Sequence, residues 1–266
     1  MSKMKRIDHT ELSILIAKSG SLDSGYIQNE ISEVADRHPQ QIAVKTTDKA
    51  LTYAELLSRV NALAIQLQES GISTGDYVGI WQDRSPEMII AILAILKAGA
   101  AYVPLDPSYP QDRLRFILDD TQATVVLTTR PFLKILQENQ YEIILIDDIK
   151  PVKKQAELPS DYSLQSPVYV IHTSGSTGKP KGVAVSQANL LHSNSARKTY
   201  YDGSVGKFLL LSSFSFDSSV AGIFWTLSQG GTLCLPKSGI EQDAGLIGDC
   251  IRDFAITHML ALPSLY

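Results

Sequence analysis

The chain is predicted to be an α/β protein built from mainly parallel sheets covered by helices. Short β-branched and aliphatic runs alternate with segments of helical periodicity along almost the whole sequence. Several strand candidates, such as 77–81 and 167–171, are continuously apolar, as strands buried on both faces are. No internal repeat or low-complexity tract interrupts the alternation.

Each element has a local reason. Ile27, Ile31 and Val34 mark a first helix, and Ile42–Val44 a strand. Thr52-x-x-Glu55 is a capping box with Leu51 and Leu56 placed as a hydrophobic staple, so a helix runs over 52–69 with Leu56, Val60, Leu63 and Leu67 on its inner face. A strand over 77–81 precedes a helix over 86–98 that starts at Pro86 and stops at Gly99. Strand 101–103, helix 111–120, strand 124–128, helix 131–138 and strand 142–146 follow. The polar, proline-containing stretch 147–166 breaks the pattern and suggests a subdomain boundary. The expected division is an N-terminal extension (1–25), a first α/β subdomain (26–150) and a second (151–266). In the second, strands 167–173 and 182–185 flank a loop. Helix 187–199, strand 207–211, helix 219–229, strand 232–235, helix 243–253 and strand 257–261 complete the series.

Composition narrows the class. With 266 residues, 44% of them hydrophobic, the chain can bury one large core or two modest ones. A net charge of −4 with scattered lysines and arginines argues against nucleic acid, which needs a concentrated basic face. The longest apolar run, Met88 to Leu96, is too short to span a bilayer, so no membrane partner is expected. The apolar stretch behind Lys3, Lys5 and Arg6 is too short for a signal peptide, and a cytoplasmic location is expected. Cys234 and Cys250 read as reduced thiols in apolar segments, and the five histidines show no metal-ligand spacing.

The run from His172 to Gly182 carries the chemistry. Thr173, Ser174, Ser176 and Thr177 alternate with Gly175 and Gly178 and end beside Lys179, Lys181 and Gly182. Glycine allows close backbone approach, while hydroxyls, N–H groups and lysine converge on anionic oxygens, which is the composition of a polyphosphate-binding loop. A Walker loop is excluded because Gly175 has the wrong spacing and Pro180 follows Gly178-Lys179. The Rossmann glycine pattern and the nucleophile elbow also fail. The competing reading is a Gly/Ser/Thr-rich surface turn.

The whole string resembles the phosphate loop of the adenylate-forming ligase superfamily. Leu51–Leu56, Leu96–Asp106 and Phe214–Ser219 resemble, in order, core motifs of amino-acid adenylation domains of nonribosomal peptide synthetases. The resemblance runs from about Tyr26 to Tyr266. It implies the N-terminal portion of the adenylate-forming ligase fold, incomplete at the C-terminus. It also implies activation of an amino acid by ATP as aminoacyl-AMP, followed by thioester transfer to the pantetheine arm of a carrier protein.

By matching position, Thr173, Ser174, Gly175, Ser176, Thr177, Gly178, Lys179 and Lys181 would hold the ATP phosphates. Lys181 is the lysine expected to contact them and the one counted as catalytic; Lys179 reads equally well as a solvated loop charge. Asp217, which taken alone reads as a helix N-cap, would pair with the substrate ammonium. Phe216 would gate the carboxylate site, and the small residues Ser218, Ala221 and Ala261 would line the pocket. His172 stands where the family more often has tyrosine, as a nucleotide sensor or a packing variant. The resemblance places the Mg²⁺ ligand and the mobile C-terminal domain beyond Tyr266, so the isolated chain is expected to be inactive without a complementing C-terminal half. Two other readings stay open: a fatty-acyl or aryl-acid activating ligase, and a non-catalytic half that binds nucleotide or a partner.

Overall fold

The computed structural model describes residues 25–133, 141–174, 180–201 and 203–261, with Ser174 described for its backbone. The N-terminal extension, the end of the expected 131–138 helix and the loop residues Gly175, Ser176, Thr177, Gly178 and Lys179 lie outside the described residues.

Two sheets are built, both mainly parallel, as expected. One has the strand order β11-β9-β10-β1-β2: β1 (Ile42–Lys45), β2 (Ala50–Thr52), β9 (Lys207–Leu209), β10 (Thr232–Cys234) and β11 (His258–Met259). The other has the order β6-β5-β3-β4-β7-β8: β3 (Tyr77–Trp81), β4 (Ala101–Leu105), β5 (Val125–Thr128), β6 (Glu142–Leu145), β7 (Pro167–Ser174) and β8 (Pro180–Ser186). Each sheet contains one antiparallel pair, β1/β2 and β7/β8. Strands from both sides of the 147–166 stretch pair in each sheet.

The helices are α1 (Ile27–Arg37), α2 (Tyr53–Glu69), α3 (Pro86–Lys97), α4 (Gln111–Thr121), α5 (Gln187–Tyr200), α6 (Asp217–Leu227) and α7 (Ala244–Phe254). The capping box forms at α2: Thr52 Oγ1 accepts from the Glu55 N–H at 3.2 Å, and the Glu55 carboxylate accepts from the Thr52 N–H at 2.8 Å. At the start of the same helix, the buried Tyr53 hydroxyl is shared between the carbonyls of Leu227 (3.1 Å) and Gly231 (2.8 Å), which ties α2 to the end of α6.

Helix α3 is the centre of the core. Every residue from Met88 to Leu96 is 2% exposed or less, and the helix packs on α2, β3 and β4. A helix apolar on all sides must be enclosed on all sides, and this one is. Its run ends at Gly99 with φ +92°, where a Cβ would sit 2.8 Å from Pro159 Cγ.

Two strands are shorter than their apolar runs suggest. Strand β9 stops at Leu209 although Leu210 and Leu211 are buried, because their carbonyls accept from Arg84 Nη1 at 2.7 and 2.9 Å. Strand β11 pairs only through His258 and Met259. Arg84, which follows β3, also pairs with Glu241 at 3.2 Å, and Ser213 Oγ donates to Asp106 Oδ2 at 2.9 Å. Arg84 thus joins the segment leaving β3 to those leaving β9 and β10 of the other sheet, and Ser213 joins the segment leaving β4 to that leaving β9. Carboxyl ends of parallel strands are where α/β proteins place ligands.

Candidate active site

Strands β7 and β8 form the hairpin that carries the candidate phosphate loop. Their register pairs Thr173 with Lys181 and Ser174 with Pro180, leaving the five loop residues between. Direct cross-strand partners project to the same face. Thr173 and Lys181 therefore stand together, both exposed, at the mouth of the loop.

The opposite face of the hairpin is packed. His172 is buried, its Nε2 lies 2.9 Å from Asp120 Oδ2, and its ring meets Phe116 edge-on at 6.5 Å. Its strand partner Gly182 has little room for a side chain, since a Cβ would lie 3.0 Å from His172 Nε2 and 3.0 Å from Val170 Cγ1. A side chain at 182 would press on both His172 and Val170.

The second part of the site is a cavity of about 230 Å³ between α5, α6 and the hairpin strands β7 and β8. Asp217 and Ala221 line it, together with Tyr169, Arg197, Ser193 and Val220 among others. Asp217 is the first residue of α6, with Phe216 in the capping position, so the aspartate is not the N-cap that its place before an apolar helix suggests. Its carboxylate accepts no hydrogen bond from the described residues, and it sits where the helix dipole favours an anion. Phe216 is 60% exposed. Ser218 and Ala261 are half-buried, and neither they nor Phe216 belong to the described lining of the cavity.

Arg197, Tyr169 and Ser193 are absent from the residues singled out by sequence. Arg197 Nη1 donates to the Ser193 carbonyl (3.0 Å) and to Ser193 Oγ (2.7 Å), one helical turn back. Burial pulls its guanidinium below the ordinary arginine range, opposed by Tyr201, Tyr169 and Asp217. Burial, with the Asp217 charge adding to it, pushes the Tyr169 phenol up to about 12. The only sequence signal for Arg197 is helical spacing: Leu190, Ser193 and Arg197 fall on one stripe of α5.

Among the described residues, no group of three or more His, Cys, Asp or Glu could hold a metal ion, and no helix is long and apolar enough to cross a membrane. Cys234 is buried and Cys250 half-buried, both as free thiols.

Known proteins resemble this chain in sequence and in fold. The chain is 38% identical over 241 residues to gramicidin S synthase 2 of Brevibacillus brevis, covering 90% of this chain and 5% of that one. It is 36% identical over 239 residues to tyrocidine synthase 3 of Brevibacillus parabrevis, covering 88% and 4%. The chain therefore spans about a twentieth of the length of these relatives. Among solved structures, the nonribosomal peptide synthetase FmoA3 (S1046A) in its AMPPNP-bound form superposes with a TM-score of 0.84 at 26% identity, covering 95% of this chain and 28% of that chain. The N-terminal subdomain of Klebsiella oxytoca NpsA superposes with a TM-score of 0.77 over 88% of this chain and 59% of that one; at 24% identity it shows the fold alone. The pattern of the AMP-binding enzyme family matches residues 31–266, and the chain belongs to that family.

Proposed function

We propose that this chain is the ATP- and amino-acid-binding portion of an enzyme that activates an amino acid as aminoacyl-AMP in nonribosomal peptide synthesis. The observation that carries the reading is the Asp217 carboxylate, which lines a cavity at a helix N-terminus with no hydrogen-bond partner among the described residues. A carboxylate held this way is matched by a substrate ammonium. Membership of the AMP-binding enzyme family and the likeness to nonribosomal peptide synthetases support it.

In the proposed reaction the amino acid's carboxylate oxygen attacks the α-phosphorus of ATP, forming the acyl–phosphate bond as the bond to the leaving pyrophosphate breaks. Positioning and charge compensation are what the protein supplies. Thr173, Ser174, Gly175, Ser176, Thr177, Gly178 and Lys181 would hold the β- and γ-phosphates, with Lys179 at the loop's edge. Phe216, Ser218, Ala221 and Ala261 would complete the amino-acid site around Asp217. Mg²⁺ would offset the charge of the ATP phosphates, held by an acidic residue beyond Tyr266. The acceptor of the acyl group would be the pantetheine thiol of a carrier protein, with a C-terminal portion of the enzyme completing the site.

Asp217→Asn in the full-length native polypeptide tests this. Amino-acid-dependent ATP–pyrophosphate exchange should show a KM raised by roughly 10- to 100-fold, the loss of one charge-assisted contact. Equal use of amino acids and their deaminated analogues by the unaltered protein would refute the reading.

A further inference from the structure

The cavity beside Asp217 holds a second charge. Arg197 reaches it from α5, and of its donors only Nη1 has a hydrogen-bond acceptor among the described residues, both acceptors belonging to Ser193. Nε and Nη2 are without one. Asp217 acts on Arg197 through its charge, yet the two make no ion pair. The planar guanidinium fork is free to meet a carboxylate in two-point contact. The rest of the lining includes apolar Val185, Leu190 and Val220, while Asp217 itself is exposed at the cavity's edge.

We infer that Arg197 is a substrate-recognition residue, whose guanidinium binds a carboxylate of the amino acid whose ammonium meets Asp217. The inference rests on the Asp217 reading above. One cation and one anion facing a single small cavity suit a zwitterion: the ligand's two charges each meet an opposite one, and neither protein charge is left unpaired. A bare amine or a bare acid satisfies only half of the pair. The carboxylate is either the reacting one, common to every amino acid, or a second one on the side chain of a dicarboxylic amino acid. The same contact chemistry serves both.

The test is pyrophosphate exchange by the full-length native polypeptide and its Arg197→Gln, Arg197→Lys and Asp217→Asn variants. The panel is glycine, L-alanine, L-serine, L-aspartate and L-glutamate, with the amine left when the best of them loses every carboxyl group as an inhibitor. Arg197→Gln should raise KM by roughly 10- to 100-fold, with kcat changed less, while the amine's inhibition constant stays put. Arg197→Lys should recover part of the loss. A rise across the whole panel assigns the reacting carboxylate; a rise confined to aspartate and glutamate assigns the side chain. Unchanged KM values, or amine and amino acids weakened alike, would overturn the inference. Asp217→Asn should weaken the amine as well, so a failure there is a failure of the ammonium reading and is separable from a failure of Arg197.

Discussion

His172 Nε2 and Asp120 Oδ2 stand 2.9 Å apart, joining the strand that runs into the phosphate loop to the last turn of α4. The histidine side chain is 2% exposed and the aspartate 47%, so the contact closes the packed face of the hairpin from the solvent side. In the place where the family resemblance expects tyrosine, the imidazole has a defined partner.

That contact makes the hairpin sensitive on its hidden face. Gly182→Ala would push a methyl group into His172 and Val170, at 3.0 Å from each, and should cost about 1–3 kcal/mol. His172→Ala alone leaves a void beside Phe116 and should destabilise by a similar amount. Combining them should cost less than the sum, because the small side chain at 172 makes the room that alanine at 182 needs. Denaturant unfolding of the four proteins in the cycle measures this; strict additivity would show that Gly182 is not constrained by His172.

Lys181→Ala in the full-length native polypeptide should reduce pyrophosphate exchange by roughly 10-fold or more, the scale of a lost charge-assisted phosphate contact. Lys179→Ala should reduce it less. Lys181 is held in strand register opposite Thr173, which orders its backbone before nucleotide arrives. Equal and negligible effects would sink the assignment.

Arg84 should be a stability residue without being a phosphate-site residue. Its side chain is 7% exposed and holds the Leu210 and Leu211 carbonyls and Glu241. Arg84→Ala leaves those carbonyls unpaired and should cost about 2–4 kcal/mol, and Arg84→Lys should recover little because lysine lacks the fork. Thermal unfolding of both variants reads this out; a wild-type melting temperature for Arg84→Lys would contradict it.

The thiols should differ in reactivity. Burial raises the Cys234 thiol to about 11, with Lys207 and Lys45 opposing. Burial, then Asp253 and Asp249, raises Cys250, which is half-buried. At pH 8, alkylation should therefore modify Cys250 first and reach Cys234 only on unfolding. A folded-state value above the unfolded one favours the neutral thiol in the fold. That contribution is complete below the ordinary thiol range and lost as pH rises through it toward about 11. Peptide mapping after timed alkylation checks the order, and prior modification of Cys234 would reverse it.

What could be read without coordinates was local. The capping box at Thr52, the enclosed helix over 86–97, the stop at Gly99 and the strand leading to the phosphate loop each depend on residues a few positions apart. Periodicity and caps record such short-range preferences directly. The candidate site residues named by motif, Asp217 and Lys181 among them, could be proposed because a motif is contiguous in sequence.

The tertiary structure alone decided the rest. Strand order brings β1 beside β10, pairing Val44 with Leu233 across 189 positions, which no local pattern encodes. Asp120 meets His172 from 52 positions away, and Arg84 caps carbonyls 126 and 127 positions on. Arg197 looks in sequence like one more cation near the end of a polar helix. It becomes a candidate for substrate recognition only when α5 is laid against α6 and the Asp217 carboxylate shares its cavity. Charges act through space, and which charges share a pocket is settled by packing of the whole chain.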